Sequence, residues 1–270
     1  MVSWIVVIAI LAVLLPMLPN LLYPTDIASF SVDDIPELSN NMIIVVTGAN
    51  TGLGLGVVQH LVQASTAKLV MMVCRNMEKC QAARSSVMKE FPSSTTRLVT
   101  ILMDLSNPQS IASGAIEIQR QAAEVIASDR TTQPAMNPPP IHVLINNAGV
   151  MGAWKSREFV NNVETHLYVN HVGHALLTHY LFPNLLQGHG RIVSVSSVFS
   201  LAPADAAKNW FQQDYDSRDA KKRASLQTDR PNMWDALYGL YDALRYYAKS
   251  KRSNLQFCSG VASSVSSSYL

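Results

Sequence analysis

An apolar, β-branched run that opens directly into three closely spaced glycines constrains this chain more than any other feature. Residues 42–47 read MIIVVT. Gly48-Ala49-Asn50-Thr51-Gly52-Leu53-Gly54 follows, and then an amphipathic stretch to Ala64. A short continuous run of this kind predicts a strand of a parallel sheet, buried on both faces. The stretch after it predicts a helix. Glycines at a strand-to-helix turn let the backbone turn tightly and approach a pyrophosphate, which then sits on the N–H groups and dipole of the helix start. Glycine also simply makes turns, but a strand before and a helix after are the context phosphate binding requires.

The alternation continues. Strands are predicted at Lys68–Cys74, Arg97–Met103, Ile141–Ile145 and Arg191–Ser196. Helices are predicted at Met77–Glu90, Pro108–Ser128, Glu158–Leu186 and Trp234–Phe257. This order implies an α/β fold, a doubly wound parallel sheet with helices on both faces. Thr131–Pro140 reads as a Pro-rich surface insertion. Pro203–Asn232, with Lys221, Lys222 and Arg223, reads as a solvated polar insertion. The globular domain is expected over residues 42–258. The last twelve residues, 259–270, hold six serines and no periodicity, and are expected to be a disordered tail.

Ahead of the domain, Trp4–Leu15 is uninterruptedly apolar, and no charge appears before Asp26. A helix needs roughly 20 mainly apolar residues to cross a bilayer, so residues 1–23 are expected to form a membrane anchor, with residues 24–41 as a linker. A cleaved signal peptide wants a basic start and a small-residue cleavage site, and neither is present. The net charge is +2 and no basic run exists, which excludes nucleic acid as a partner. The three cysteines, Cys74, Cys80 and Cys258, argue against a disulfide framework and a zinc site and suit a reducing compartment.

Four further motifs follow the glycine turn in order: Asn146-Asn147-Ala148-Gly149, Val169-Asn170-His171-Val172-Gly173-His174, Val195-Ser196-Ser197 and Tyr247-Ala248-Lys249-Ser250-Lys251. Together with the Gly-x-x-x-Gly-x-Gly spacing they resemble the short-chain dehydrogenase/reductase family, in its retinol-dehydrogenase-like branch, over residues 42–257. The resemblance implies a Rossmann-like fold. It implies a cofactor site at Gly48, Asn50, Thr51, Gly52, Leu53, Gly54, Arg75, Asn76, Asp104, Leu105, Asn147, Ala148, Gly149, Tyr247 and Lys251. Asp104 would contact adenine, although a turn or cap before Ser106 and Asn107 explains it as well. The implied catalytic residues are Asn170, Ser197, Tyr247 and Lys251. Ser197 would hydrogen-bond the substrate oxygen and Tyr247 would pass the proton. Lys251 would hold the ribose and tune Tyr247, and Asn170 would hold a water relay. His171 and His174 read as structural, since no partner spacing suggests a metal.

Two of these readings also stand on the residues themselves. An acid at the end of the second strand would accept the ribose hydroxyls of NAD. Here Cys74-Arg75-Asn76 occupies that place, and a guanidinium pairs with a 2′-phosphate. NADP(H) is therefore the expected cofactor; a surface pairing of Arg75 with Glu78 is the alternative. A phenol is a poor base near neutrality, and a cation one helical turn away favours its phenolate. Tyr247 alone among Tyr238, Tyr241, Tyr246 and Tyr247 has a Lys at i+4.

With the anchor expected over residues 1–23, the chain is expected to be a single-pass membrane protein, with the endoplasmic reticulum as one candidate compartment. Such an anchor favours a small apolar substrate, such as a retinoid, a steroid or another lipid. Two departures stand against the resemblance. The segment between Ser197 and Tyr247 is unusually long, and only residues 252–270 follow Lys251, so the C-terminal strands of a complete member are expected to be missing. An alternative therefore stays open: a truncated, catalytically inactive member that at most binds nucleotide.

Overall fold

In the computed structural model, which describes residues 41–64, 67–128, 137–152, 159–197, 200 and 246–261, MIIVVT forms strand β1 (Met42–Thr47) at the centre of a five-stranded sheet. Its neighbours are β2 (Ala67–Cys74) and β4 (Val143–Asn146). The outer strands are β3 (Arg97–Leu102) and β7 (Arg191–Ser194), in the order β3-β2-β1-β4-β7. Every pair is parallel.

Both faces of the central strands are covered, which explains why they read as continuous apolar runs rather than alternating ones. Ile43, Val45, Leu69 and Met71 point to one side and pack with Ile111 and Ile118 of α3 (Pro108–Ser128) and with Leu177 and Leu181 of α5 (Gly173–Gln187). Ile44, Val46, Val70 and Met72 point to the other and meet Val58 and Val62 of α1 (Gly52–Gln63) and Val87 of α2 (Met77–Glu90). The helix α2 starts at Asn76, whose Oδ1 accepts the Lys79 N–H at 2.9 Å. The chain runs outward from β1 through β2 to β3 and returns to β4 on the other side of β1. The strand order therefore reverses between β1 and β4, the switch point at which open α/β sheets bind ligands.

Several expectations need correction. The helix expected over Glu158–Leu186 begins only at Thr165. Before it, β5 (Phe159–Val160) and β6 (Val163–Glu164) form a small antiparallel hairpin. Its turn residues Asn161 and Asn162 have φ of 48° and 63°, the left-handed conformation a two-residue hairpin turn demands and Asn tolerates. Then come α4 (Thr165–Leu167), a π-helical turn (Tyr168–Val172) and α5. Strand β4 starts two residues later than expected, because Ile141 N–H goes to the Asn184 carbonyl at 2.9 Å and His142 Nδ1 takes the Ile43 N–H at 3.0 Å. The last described helix, α6, spans residues 246–261 and runs past Ser259 into the expected tail.

The cysteine reading also changes. Cys74 and Cys80 form a disulfide, their Cα atoms 6.0 Å apart, because the turn from β2 into α2 folds one back over the other. Among the described residues no helix is long and apolar enough to cross a membrane. The anchor expected over 1–23, the linker to residue 40, residues 131–136 of the Pro-rich insertion, the insertion Pro203–Asn232 and residues 262–270 lie outside the described residues.

Candidate active site

At the switch point the end of β1 meets the turn after β4. Thr47 Oγ1 accepts the N–H groups of Asn147 and Ala148, both at 3.0 Å. In return, Asn147 Nδ2 donates to the Thr47 carbonyl at 2.9 Å. This close approach dictates two glycines. A Cβ at Gly48, where φ is +65°, would sit 2.8 Å from Ala148 Cα, and one at Gly54 would sit 2.4 Å from the Gly48 oxygen. Gly52 is different: φ is +56°, and nothing lies within 4 Å of the Cβ position. The backbone there is open to a visitor. Thr51 and Leu53 flank it and are exposed, and Asn50 is partly buried. The first turn of α1 carries no acidic side chain, and Thr51 makes no capping hydrogen bond. An uncapped helix start with an open glycine fits a dinucleotide's phosphates.

Arg75 lies at the carboxyl end of β2 and is exposed. Among the described residues no ion pair joins it to Glu78. The Asn76 side chain is committed to capping α2. Asp104 serves its own turn: Oδ1 accepts the Ser106 N–H at 2.8 Å and the Ser106 hydroxyl at 2.7 Å. Leu105 is 6% exposed and its side chain belongs to the core.

Of the residues expected to be catalytic, Asn170, Tyr247 and Lys251 come together on the other side of the switch point. Asn170, in the π-helical turn, is fully buried. Its Oδ1 accepts the Val150 N–H at 2.7 Å, and its Nδ2 donates to the Val150 carbonyl at 3.0 Å and to Ser250 Oγ at 3.1 Å. Ser250 in turn donates to the Tyr247 carbonyl at 2.7 Å. Lys251 is 4% exposed; Nζ donates to the Val195 carbonyl at 2.9 Å and lies 5.7 Å from the centre of the Tyr247 ring. A Cβ at Gly149 would lie 3.4 Å from Asn170 Oδ1 and 3.5 Å from Lys251 Nζ. Burial pushes the Lys251 ammonium below the usual lysine range. The Ser196 hydroxyl donates to the Lys251 carbonyl at 2.9 Å. Ser197 follows it, and its own carbonyl accepts the Ser200 N–H at 2.9 Å.

Two groups here, Ser250 and Thr47, escaped the sequence reading. Ser250, inside the Tyr247–Lys251 motif, bridges Asn170 to the helix that carries Tyr247. Thr47, the last residue of β1, ties two motifs together. His174 is buried: Nδ1–H donates to the Asn170 carbonyl at 3.0 Å, so Nε2 accepts the Thr47 hydroxyl at 2.9 Å. Burial lowers its pKa to about 4. His171 Nδ1 meets Asn254 Oδ1 at 3.1 Å, and its ring stands edge-on to Phe257. Among the described residues no cluster of His, Cys, Asp or Glu is arranged to hold a metal.

Comparison with known proteins points the same way. A sequence profile described as short chain dehydrogenase matches residues 42–209. Human retinol dehydrogenase 12 is 36% identical over 157 residues, which cover 58% of this chain and 43% of the relative. Dehydrogenase/reductase SDR family member 13 from Bos taurus is 29% identical over 82% of this chain and 47% of its own length. The chain thus spans less than half the length of these curated relatives. Among solved structures, a short-chain dehydrogenase from Sphingobium yanoikuyae in complex with NADPH is similar with a TM-score of 0.52 at 18% identity, over 84% of this chain and 67% of that one. A bulky-bulky ketone specific alcohol dehydrogenase from Comamonas testosteroni gives 0.53 at 16% identity, over 84% and 69%. At these identities the structures speak for the fold alone.

Proposed function

This chain belongs to the short-chain dehydrogenase family, and from that membership we propose that it is an NADP(H)-dependent oxidoreductase interconverting an alcohol and a carbonyl on a small, lipid-like substrate. The observation that carries the reading is the placement of Lys251. Its ammonium is buried beside the Tyr247 ring, Gly149 and Asn170. A routine surface Tyr/Lys pair would leave the ammonium in water, since burying it is costly.

Gly48, Asn50, Thr51, Gly52, Leu53 and Gly54, with Asn147, Ala148 and Gly149, would hold the dinucleotide. Asp104 and the Leu105 backbone would stand at its adenine end. A bound nicotinamide supplies or accepts the hydride. The Tyr247 hydroxyl gives a proton to the substrate oxygen, or takes one from it, and the Ser197 hydroxyl hydrogen-bonds the same oxygen. Lys251 favours the phenolate form of Tyr247 electrostatically. Asn170 holds the loop at Val150 and the helix at Ser250, which keeps these groups in one place. Arg75, exposed at the end of β2, would take the 2′-phosphate, with Asn76 beside it, and so prefer NADPH to NADH. An anchor in residues 1–23 would bring the site to a membrane-borne apolar substrate.

The test is absorbance at the reduced-nicotinamide band with NADPH and a panel of apolar aldehydes and ketones, retinal among them. Steady consumption dependent on both partners supports the reading. Tight NADPH binding without consumption of any carbonyl supports instead a nucleotide-binding member without turnover.

A further inference from the structure

Downstream of Gly149 the chain is pinned at a second point, which the reading above leaves unused. Gly152 N–H donates to His166 Nε2 at 3.1 Å. An Nε2 that accepts leaves the ring proton on Nδ1, and Nδ1–H donates to the Glu164 carboxylate. The other carboxylate oxygen of Glu164 accepts the Leu167 N–H at 3.1 Å. Both side chains are buried, at 6% and 4% exposure. Every polar atom of the pair is thus spoken for, and only one tautomer satisfies the set. A carboxylate that fixes the tautomer of an imidazole through Nδ1 is a common way to aim the other nitrogen. Here it aims at a backbone amide.

That amide belongs to a glycine with φ of +93°, a conformation that a side chain would resist and the loop must be held in. Between Gly149, beside Lys251, and Gly152 lies Val150, gripped by Asn170 on both its N–H and its carbonyl. We infer that Glu164 and His166 form a positioning pair that fixes the loop Gly149–Gly152 against Lys251, with Asn170 as the first grip and His166 as the second. This rests on the proposed oxidoreductase reading for its catalytic consequence, but not for the grip itself.

The experiment compares the full chain with His166→Leu, His166→Gln and Glu164→Gln. Gln at 166 presents an acceptor where Nε2 stood; Leu presents none. Glu164→Gln keeps the ring but cannot accept both the His166 Nδ1–H and the Leu167 N–H, so the tautomer is no longer imposed. Hydrogen exchange at the Gly152 amide should speed up roughly tenfold in His166→Leu and in Glu164→Gln, the factor one hydrogen bond represents, and return towards wild type in His166→Gln. NADPH-dependent kcat should fall on the order of tenfold to a hundredfold in the first two, as misplacement of a reacting group costs. His166→Gln should recover most of the rate. Should His166→Leu fail to fold, Glu164→Gln against His166→Gln gives the same contrast. Wild-type Gly152 exchange and kcat in His166→Leu, or equal damage in all three variants, would overturn the pair. Absence of turnover in the wild type defeats the oxidoreductase reading alone, and the exchange measurement then decides the grip by itself.

Discussion

The Lys251 ammonium donates to the Val195 carbonyl at 2.9 Å, a bond that ties the helix over residues 246–261 to the chain leaving β7, across 56 positions of sequence. The Ser196 hydroxyl returns a bond to the Lys251 carbonyl. Lys251 is thus a strut between two elements as well as a neighbour of Tyr247. Lys251→Met should therefore cost stability and rate together. The Val195 carbonyl keeps the longer bond from Asn254 Nδ2, at 3.4 Å, so what is lost is one hydrogen bond from a charged donor, about 1.5–3 kcal/mol, readable as a lowered denaturation midpoint. Turnover should fall further than stability does, because the cation beside Tyr247 is gone as well.

The cofactor assignment makes a prediction at β2. Replacing the guanidinium by a carboxylate in Arg75→Asp should weaken NADPH much more than NADH, because hydrogen bonds to charged groups contribute about 1.5–3 kcal/mol. Fluorescence titration of both cofactors against wild type and variant checks this. Equal affinity of the wild type for both would contradict it.

His174 sets a pH dependence of folding. Its folded pKa of about 4 lies below the ordinary value of 6.5. Between those two values the unfolded chain binds the proton and the folded chain does not. The stabilisation is therefore complete above pH 6.5, falls as the pH drops towards 4, and is gone below it. A shift of this size is worth about 3 kcal/mol. Urea unfolding from pH 7 to 4 should show that loss, and His174→Gln should show less of it.

Thr47 accepts two backbone N–H groups with one oxygen. Thr47→Val keeps the shape and removes the acceptor, so the Ala148 N–H at the switch point loses its partner while the Asn147 N–H keeps the Ile145 carbonyl at 3.0 Å. The expected cost is about 1–3 kcal/mol for the one unsatisfied amide, measured by chemical denaturation, together with weaker NADPH binding as the Gly48 and Asn147 turns loosen.

The central sheet was legible in the sequence because its signals are local. MIIVVT and its glycines carry strand, turn and helix within residues 42–63, although what forbids a side chain at Gly48 is the distant Ala148. The hairpin at Phe159–Glu164 was not, since strands of two residues are too short to show a period, and Asn161-Asn162 was absorbed into a helical pattern. The Cys74–Cys80 bond was missed because a count of three cysteines says nothing about which two a turn brings together. In the site, the family motifs named Asn170, Tyr247 and Lys251. They did not name what joins them: Asn170 and Ser250 are 80 positions apart, and the Glu164–His166 pair acts on Gly152 through a tautomer that no spacing displays.

The proposal that the Tyr247 hydroxyl moves the proton is the centre of this account. Its most direct test is Tyr247→Phe, a change of one oxygen, followed by NADPH-dependent turnover and NADPH affinity in the same preparation. General acid–base catalysis typically contributes about 10²–10⁴-fold, so turnover should fall by that factor while the NADPH Kd stays within about twofold, well inside the factor of 10 that corresponds to 1.4 kcal/mol. A Tyr247→Phe chain that turns over at the wild-type rate would contradict it.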